Sequence, residues 1–319
     1  MNFKTKTMKK DNFLFLLMIF IMTSCSATVI KDYEENLLFI NNIKGKVKSI
    51  RSETFEATEK FGEVQKGDPT TPYFSLPVYS IITGNSFYEF TKQGKLKTEE
   101  YNTEDYSYIR TLNYDDSWNI IEEVYNSEYN DNQNEKTTKY KFEKNVLVSS
   151  VTYDKDGKES AMSDYVFEDD LIKEISTKDK DGKLTTKIKY SYSNGIQTES
   201  IYNGEGELAQ EFKRDINGRT LETFLSYIGR AYIIYEEDNV FPVEIKFYED
   251  NEITSKLVLE FDDKYNITEI TEIDEDGAVD TKYNFTYKFD EKGNWVEQAV
   301  YEDGDIEYLT TRKIEYFKN

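Results

Sequence analysis

The chain of 319 residues contains no histidine and only one cysteine, Cys25. Without histidine it lacks the commonest general base near neutral pH, the Ser-His-Asp and Cys-His catalytic arrangements, and histidine-ligated zinc or iron. A lone cysteine also has no partner for a disulfide within the chain. Most hydrolase chemistries are therefore excluded, and we expect no catalytic residue, no metal site and no cofactor.

Basic residues are scarce beside acidic ones, with 40 Lys and Arg against 62 Asp and Glu and a formal net charge of −22. Binding to nucleic acid or to anionic lipid needs clustered Lys and Arg that neutralise phosphates. We therefore expect no nucleic-acid partner and no membrane binding through surface charge.

Long apolar runs are also rare, and the clearest one, at 13–22, follows four lysines within the first ten residues. It is too short for a transmembrane helix, which needs about 20 residues, but it suits the apolar region of an export signal. Met22-Thr23-Ser24-Cys25 resembles a bacterial lipobox, which implies that Cys25 is acylated and becomes the mature N-terminus. The alternative is an ordinary signal peptide with an incidental cysteine. We predict a signal peptide at 1–24 and a tether at 25–44.

Aromatic residues are abundant, with 26 Tyr and 20 Phe, which favours a folded β protein over a disordered acidic chain. Three of the four prolines lie between 69 and 77. Because proline cannot donate a ladder hydrogen bond, this stretch predicts an irregular insertion at about 66–80.

From residue 85 onward the chain repeats one pattern: a strand ending in an aromatic, a turn of Asp, Asn and Gly, and a second strand that commonly ends in Tyr. Nine such units follow one another at intervals of about 21 to 28 residues. The first strands end at Phe90, Tyr114, Phe142, Phe167, Tyr192, Lys213, Tyr235, Phe261 and Phe289. The second strands end at Tyr101, Tyr125, Tyr153, Thr177, Tyr202, Tyr227, Phe247, Ile273 and Tyr301.

Alternation within each unit predicts a sheet with one apolar face, as where Tyr283, Phe285, Tyr287 and Phe289 share a side. The short turns make successive strands antiparallel neighbours. We therefore predict an all-β domain at 45–319, an antiparallel meander of repeated hairpins. Because an apolar face cannot lie flat in water, we expect a curled, solenoid-like sheet with its aromatic face inward, or alternatively a closed barrel or propeller.

The run Tyr287-Lys288-Phe289-Asp290-Glu291-Lys292-Gly293-Asn294 resembles the Tyr-Asp repeat of the YD/RHS superfamily, and residues 214–219 resemble its D-x-x-G-R core. The resemblance covers about 85–319. With the lipobox, it is similar to uncharacterised repeat lipoproteins of Bacteroidota. In the RHS family such repeats form shells that enclose a toxin, but this chain has too few units for a capsule. Hairpin repeats of the MORN-like antitoxin type are a weaker resemblance.

Two further patterns are candidate binding features. Trp118 and Trp295 are predicted to occupy matching positions after a turn, where they either fill the core or stack on a ligand such as a sugar. The Asp-x-Asp-Gly and Asp-Glu-Asp-Gly segments that begin at Asp154, Asp179 and Asp274 favour turns, with calcium binding as the alternative.

These observations favour a non-catalytic lipoprotein of the cell envelope, on the outer membrane and facing the periplasm or the cell surface. Its repeat would act as a binding or scaffolding surface for an envelope protein or a glycan, and its only membrane contact would be the N-terminal lipid. The first alternative is a carboxylate-dependent enzyme acting on glycans, which needs a specific pair of acids of which one has a raised pKa. The second is an immunity or antitoxin-like partner of a secreted toxin.

Overall fold

The computed structural model describes residues 43–71, 85–103, 105–129, 132–226, 229–236 and 241–318. The predicted signal peptide, Cys25 and nearly all of the tether lie outside these residues. No helix in the described part of the chain is long and apolar enough to span a membrane.

Twenty-one strands are described, every pair antiparallel. They are β1 (Val47–Lys60), β2 (Glu63–Pro69), β3 (Asn85–Phe90), β4 (Leu96–Asn102), β5 (Tyr106–Tyr114), β6 (Ile120–Tyr129), β7 (Asn132–Glu143), β8 (Val146–Asp154), β9 (Glu159–Glu168), β10 (Leu171–Asp179), β11 (Leu184–Ser193), β12 (Ile196–Asn203), β13 (Leu208–Arg214), β14 (Thr220–Leu225), β15 (Gly229–Tyr235), β16 (Pro242–Glu249), β17 (Glu252–Phe261), β18 (Ile267–Asp274), β19 (Val279–Phe289), β20 (Trp295–Glu302) and β21 (Asp305–Tyr316).

Strands β3 to β20 form nine consecutive hairpins, which coincide with the nine units of the sequence repeat. Phe90 ends the first strand of the first hairpin and Phe289 ends that of the last. From β3 onward each strand pairs with the strand that follows it in sequence, as expected when the connections are too short to cross the sheet. The prediction of an all-β antiparallel meander is confirmed.

The first and last strands close the sheet. Along one edge β1 pairs with β21, where Ile50 opposes Ile314, and along the other edge it pairs with β3, where Ile50 opposes Tyr88. β1 and β3 to β21 therefore form a ring of 20 strands. The architecture is the closed barrel, which was the alternative to an open curled sheet.

Beyond Glu56, β1 continues as a hairpin with β2. Ala57 and Val64 of this hairpin pack with Ala299 and Leu309 on the outer side of β20 and β21. Residues 66–69 thus belong to a strand, which corrects the predicted start of the irregular insertion. The segment 72–84, which holds Pro72 and Pro77, lies outside the described residues.

One face of the sheet points into the barrel and holds most of the buried side chains. The register carries this face around the ring: Ile270 opposes Tyr283, and Val300 opposes both Phe285 and Tyr308. Its apolar residues form three separate clusters, drawn from β15 to β21, from β7 to β13, and from β21, β1 and β3 to β6. Each cluster combines strands that are adjacent in the ring, so the described core is a lining of the wall. A circular ring of this many strands encloses more space than its own side chains fill.

The aromatic residues that end the first strands contribute to this lining, except for Phe289, which is substantially exposed. The residues that end the second strands do not share one face, contrary to the expectation of a uniformly inward aromatic side. Tyr101, Tyr125, Thr177 and Phe247 point inward, whereas Tyr153, Tyr202, Ile273 and Tyr301 lie on the outer face. Spacing explains most of the difference, because one residue more or less changes the face. The inward residues come five positions after Leu96, Ile120, Ile172 and Pro242, whereas three of the outward ones come six positions after Leu147, Ile267 and Trp295. Tyr227 lies outside the described residues.

The two ends of the barrel carry different sets of turns. The end where β1 begins is called the proximal rim, and it includes the turns at 91–95, 115–119, 215–219, 262–266 and 290–294. The opposite end is called the distal rim, and it includes the turns at 154–158, 179–183, 203–207 and 274–278. In most of these turns the first side chain, an Asp or Asn, accepts hydrogen bonds from the backbone N–H groups two and four residues later, as Asp290 does from Lys292 and Asn294, both at 2.9 Å. The repeated Asp is therefore a turn cap.

Tyrosine hydroxyls link neighbouring hairpins along the proximal rim. Each donates to the backbone oxygen of the first or second residue in the second strand of the preceding hairpin, beside a register shift. The four links are Tyr114 to Leu96 at 2.6 Å, Tyr192 to Ile172 at 3.2 Å, Tyr235 to Thr220 at 3.0 Å and Tyr287 to Ile267 at 2.8 Å. They explain why these positions of the repeat carry Tyr rather than Phe.

The substitution Tyr287→Phe tests this role. It leaves the backbone oxygen of Ile267 without this donor and the amide of Gln298, now 3.1 Å from the hydroxyl, without this acceptor. We expect the free energy of unfolding in urea to fall by about 1–3 kcal/mol. Tyr202→Phe is the matched control on the outer face, where the ring lies under Lys189, and it should change stability by less than about 0.5 kcal/mol. Equal losses in the two variants would contradict the link.

Candidate functional site

Four tyrosine rings meet on the inner wall near the distal rim. They belong to β4, β5 and β6 and are called the tyrosine cluster: Tyr101, Tyr106, Tyr108 and Tyr125. Tyr108 is central, because its ring centroid lies 5.9 Å from that of Tyr101, 5.6 Å from that of Tyr125 and 6.0 Å from that of Tyr106. The hydroxyls of Tyr106 and Tyr125 are hydrogen-bonded to each other. The register places all four on the inner face because Tyr101 opposes Tyr108 and Tyr106 opposes Tyr129.

A buried ion network lies beside these rings. Glu99 is only 1% exposed, and its Oε1 accepts a hydrogen bond from the Tyr108 hydroxyl at 2.8 Å. Its Oε2 lies 3.7 Å from Nη1 of Arg110, which is longer than an ordinary hydrogen bond. Arg110 also approaches Glu123, with 3.1 Å between Nε and Oε1, and the Tyr140 hydroxyl donates to Glu123 at 3.0 Å. One guanidinium therefore joins two carboxylates within a wall of tyrosines.

Burial controls the protonation of this site. It raises the pKa of Glu99, although Arg110 and the Tyr108 hydroxyl both oppose the rise. Burial also raises the pKa of Tyr101 to about 12 and that of Tyr125 above its ordinary value. The tyrosines are therefore neutral at physiological pH. They present hydroxyl groups and ring faces rather than charge.

Two further buried charges lie on the inner face. Glu199 is fully buried in β12, and its Oε2 is 3.1 Å from Nη1 of Arg214. Arg312 of β21 lies over the ring of Trp295, with 3.2 Å between its guanidinium carbon and the ring centroid, and burial lowers the pKa of Arg312. A buried ion pair rarely stabilises a fold more than well-packed apolar residues of the same volume. These charges thus make the barrel interior more polar than packing alone requires.

Trp118 and Trp295 do not occupy matching positions, and that prediction is wrong. Trp118 is the fourth residue of its turn, where Gly293 stands in the last hairpin, and it has φ +64. Trp295 comes two residues after Gly293, at the start of β20. Trp295 is 6% exposed and covered by Arg312, whereas Trp118 is 37% exposed and contacts the ring of Tyr114 at 5.9 Å. A ligand could stack on Trp118 without displacing a side chain, but on Trp295 it would have to displace Arg312.

The Asp-Gly segments that suggested calcium are turns with capped backbones. Oδ1 of Asp154 accepts from the N–H groups of Asp156 and Lys158, and Asp179 does the same two strands later. Within the described ranges, no group of three or more Asp, Glu, Cys or His side chains is placed to hold a metal ion.

The tyrosine cluster and its ion network were missed from the sequence. Glu99 lies in the run Thr98-Glu99-Glu100-Tyr101, where the alternation does not distinguish an inward acid from an outward one. The density of tyrosine was the available signal, because Tyr101, Tyr106 and Tyr108 fall within eight residues. Cys25, the predicted acylation site, lies outside the described residues.

No protein-family model matches the chain, and comparison with curated proteins gives no match. Among solved structures, a porin-like protein from Bacteroides uniformis is similar over 84% of this chain and 98% of its own, at 12% identity and a TM-score of 0.33. A porin-like protein from Bacteroides vulgatus covers 86% of this chain and all of its own, at 10% identity and a TM-score of 0.21. A beta-barrel-like protein from Brucella abortus has the same coverage and identity, with a TM-score of 0.23. Scores this low carry no argument about function, and the barrel is established by the strand pairing itself.

The substitution Glu99→Gln tests the buried carboxyl. Because the folded state raises the pKa of Glu99 above 4.5, its contribution to stability is greatest below that pH and is lost as the pH rises through the raised value. Removing the ionisable group removes this loss. The stability of Glu99→Gln relative to the native chain should therefore increase with pH, by roughly 1 kcal/mol or more between pH 4 and 8.

Urea unfolding followed by circular dichroism at several pH values measures this difference. Glu122→Gln is the control, because Glu122 lies on the outer face, 4.0 Å from Lys139. Its stability should run parallel to that of the native chain as the pH changes. A parallel course for Glu99→Gln as well would mean that the buried carboxyl does not control stability in this range.

Proposed function

We propose that this protein is a non-catalytic binding protein of the cell envelope, anchored by an acylated Cys25, which takes up a ligand at the tyrosine cluster inside its barrel. The observation that carries the proposal is the partly satisfied carboxylate of Glu99 among four tyrosine rings on the inner wall. A wall built only for packing would hold apolar side chains there. A buried carboxylate oxygen without a hydrogen bond has acceptor capacity left for a ligand.

The chemistry of the cluster favours a ligand rich in hydroxyl groups. Tyrosine combines an apolar ring face with a polar tip, and Glu99 and Glu123 supply acceptors for hydroxyl hydrogens. Such a wall suits a glycan, whose sugar rings have apolar faces and hydroxyl edges. A ligand would reach it through the distal rim, since Tyr101 and Tyr106 flank the connection between β4 and β5 at that end.

The anchor part of the proposal is supported by the lysine-led apolar run at 13–22 and by the single cysteine that follows it. Acylation would retain the protein at a membrane, and the Bacteroidota-like arrangement of lipobox and YD/RHS-like repeat favours the outer membrane. The repeat resemblance itself remains a prediction, supported by the Asp-capped turns.

A second function is favoured by one specific observation. Glu99 and Glu123 approach the same guanidinium, that of Arg110, and the pKa of Glu99 is raised. A pair of acids in which one stays protonated is what a glycosidase requires. Against this role, the positive charge of Arg110 opposes the rise in the pKa of Glu99, and an acid catalyst needs the protonated form. Binding without cleavage is therefore the leading proposal.

Replacement of Cys25 by Ala tests the anchor. In a bacterium that processes lipoproteins, the native chain should enter the membrane fraction with a mass increased by the acyl chains and with residues 1–24 removed. The Cys25→Ala chain should lose that mass and leave the membrane fraction. Ser26→Ala is the matched control and should behave like the native chain. Cleavage and membrane retention of the Cys25→Ala chain would overturn the anchor.

Calorimetric titration tests the site with named probes: maltohexaose, cellohexaose, chitohexaose and soluble peptidoglycan fragments. We expect at least one to bind, and Tyr108→Ala to weaken it about tenfold or more, because the central ring of the cluster is lost. Tyr202→Ala on the outer face should leave the affinity unchanged. Failure of every probe would overturn the glycan proposal. Cleavage of a bound probe that Glu99→Gln abolishes would establish the enzyme instead.

A further inference from the structure

Two turns of the proximal rim hold an aromatic residue where the backbone favours glycine. Trp118 has φ +64 and Tyr265 has φ +63. The equivalent residue in the other turns of this type is Gly94, Gly157, Gly182, Gly206, Gly218, Gly277 or Gly293, each with positive φ. A bulky residue in this region is strained, at a cost of about 1–3 kcal/mol. Trp118 contacts the ring of Tyr114 and Tyr265 stacks on that of Phe241, at centroid distances of 5.9 and 5.5 Å, so ring packing offsets part of this strain.

The turns of this rim expose apolar side chains that the described turns of the distal rim lack. Trp118 is 37% exposed, Tyr265 is 54% exposed, and Ile216, inside the 215–219 turn, is 87% exposed. Among the described turns of the distal rim none contains a bulky apolar residue, and the 274–278 turn holds three consecutive acids. Just behind the proximal turns lie more exposed apolar side chains, which are Ile121, Val146, Val166, Leu171, Ile234 and Phe289. Exposed apolar residues thus surround the proximal end in its turns as well as behind them, whereas at the distal end those on the strands, Tyr129, Met162, Ile253 and Val279, lie behind turns that are polar.

The chain also enters the barrel at this end. The N–H of Lys44 donates to Oδ1 of Asn294 at 2.6 Å, and the Asn294 amide donates back to the Lys44 oxygen at 2.8 Å. The first described residue, Ile43, is therefore held beside the 290–294 turn of the proximal rim. Cys25 precedes it by 18 residues, a span of at most about 65 Å.

We propose that the proximal rim rests in the headgroup layer of a phospholipid membrane, with Trp118, Ile216 and Tyr265 as its contact residues. The inference relies on the proposed acyl anchor only for bringing this rim to the surface. Aromatic residues with a polar tip favour the membrane interface. The acids in the same turns, such as Asp116 and Asp263, keep the contact shallow, and the excess of acidic over basic residues favours an electroneutral lipid surface over an anionic one.

This contact revises the expectation that only the N-terminal lipid touches the membrane. It also orients the barrel, because the distal rim and the tyrosine cluster then face away from the bilayer. A ligand would approach from the aqueous side, opposite the anchor.

The fluorescence of Trp118 reports directly on contact between the proximal rim and lipid. The full chain, acylated in a lipoprotein-processing bacterium, is placed in phosphatidylcholine vesicles whose acyl chains carry bromine just below the headgroups. The Trp118→Phe variant emits only from the buried Trp295. Subtracting its fluorescence spectrum from that of the native chain therefore gives the emission of Trp118. We expect that difference to be quenched by brominated lipid and shifted to shorter wavelength in unbrominated vesicles.

A matched reporter on the distal rim controls for proximity to the vesicle. Lys155 is exposed in the 154–158 turn, so Lys155→Trp in the Trp118→Phe background places an indole at the other end of the barrel. Its emission should not be quenched. Equal quenching of the two reporters, or none at Trp118, would overturn the rim contact.

The double substitution Trp118→Gly and Tyr265→Gly tests the contact without threatening the fold, since glycine occupies this place in the other turns of the type. Circular dichroism should show the native strand content and urea unfolding a stability close to that of the native chain, because the relief of backbone strain offsets the two lost ring contacts. In the Cys25→Ser background, which lacks the acyl anchor, the residual vesicle binding of the native rim should be lost in the double variant.

The mass of the mature chain shows whether Cys25 is acylated, so the anchor and the rim contact can be tested separately. An acylated chain that floats with vesicles while Trp118 stays unquenched would leave the anchor standing and overturn the rim contact. An unacylated chain in which brominated lipid still quenches Trp118 would support the rim contact and overturn the anchor.

Discussion

Closure of the sheet between β1 and β21 is the constraint on which the rest of the structure depends. Nine hairpins with one apolar face each leave two open edges and a surface that water would cover. Ile50 pairs toward Ile314 on one side and Tyr88 on the other, so a single strand removes both edges and makes the apolar face an interior. The buried glutamates, the tyrosine cluster and the distinction between two rims have meaning only because that ring is closed.

Much of the meander could be predicted because its information is local. An Asp that caps a turn, a glycine at positive φ and a two-residue period all act within one hairpin, and nine hairpins follow from them. Closure could not be predicted in the same way. The β1–β21 pairing joins residues more than 250 positions apart, such as Ile50 and Ile314, and no turn connects them. An open curled sheet and a closed barrel share every local signal.

The tyrosine cluster could not be predicted from the sequence for a related reason. Inside a wide barrel the inward face carries acids, hydroxyls and rings, so alternation no longer separates core from solvent. Glu99 and Glu100 are neighbours in sequence, yet Glu99 is buried against Tyr108 whereas Glu100 is only partly covered, 3.9 Å from Arg51. A difference of one residue in strand length adds to the ambiguity by reversing faces, which is why the terminal residues of the second strands divide between the two sides. Trp118 and Trp295 show the same effect in a turn, where an offset of two residues separates an exposed position from a buried one.

The two ends of the barrel are held together by different means, and this difference connects fold with function. The four links from a tyrosine hydroxyl to a backbone oxygen all lie at the proximal rim, where each joins one hairpin to the hairpin before it. At the distal end, Tyr106 and Tyr125 bond each other, and Tyr108 bonds Glu99. Hydrogen bonds between side chains can be exchanged for bonds to a ligand without disturbing any backbone pairing. The barrel therefore combines a firm end, where the chain enters, with an inner wall at the other end whose polar groups can change partners.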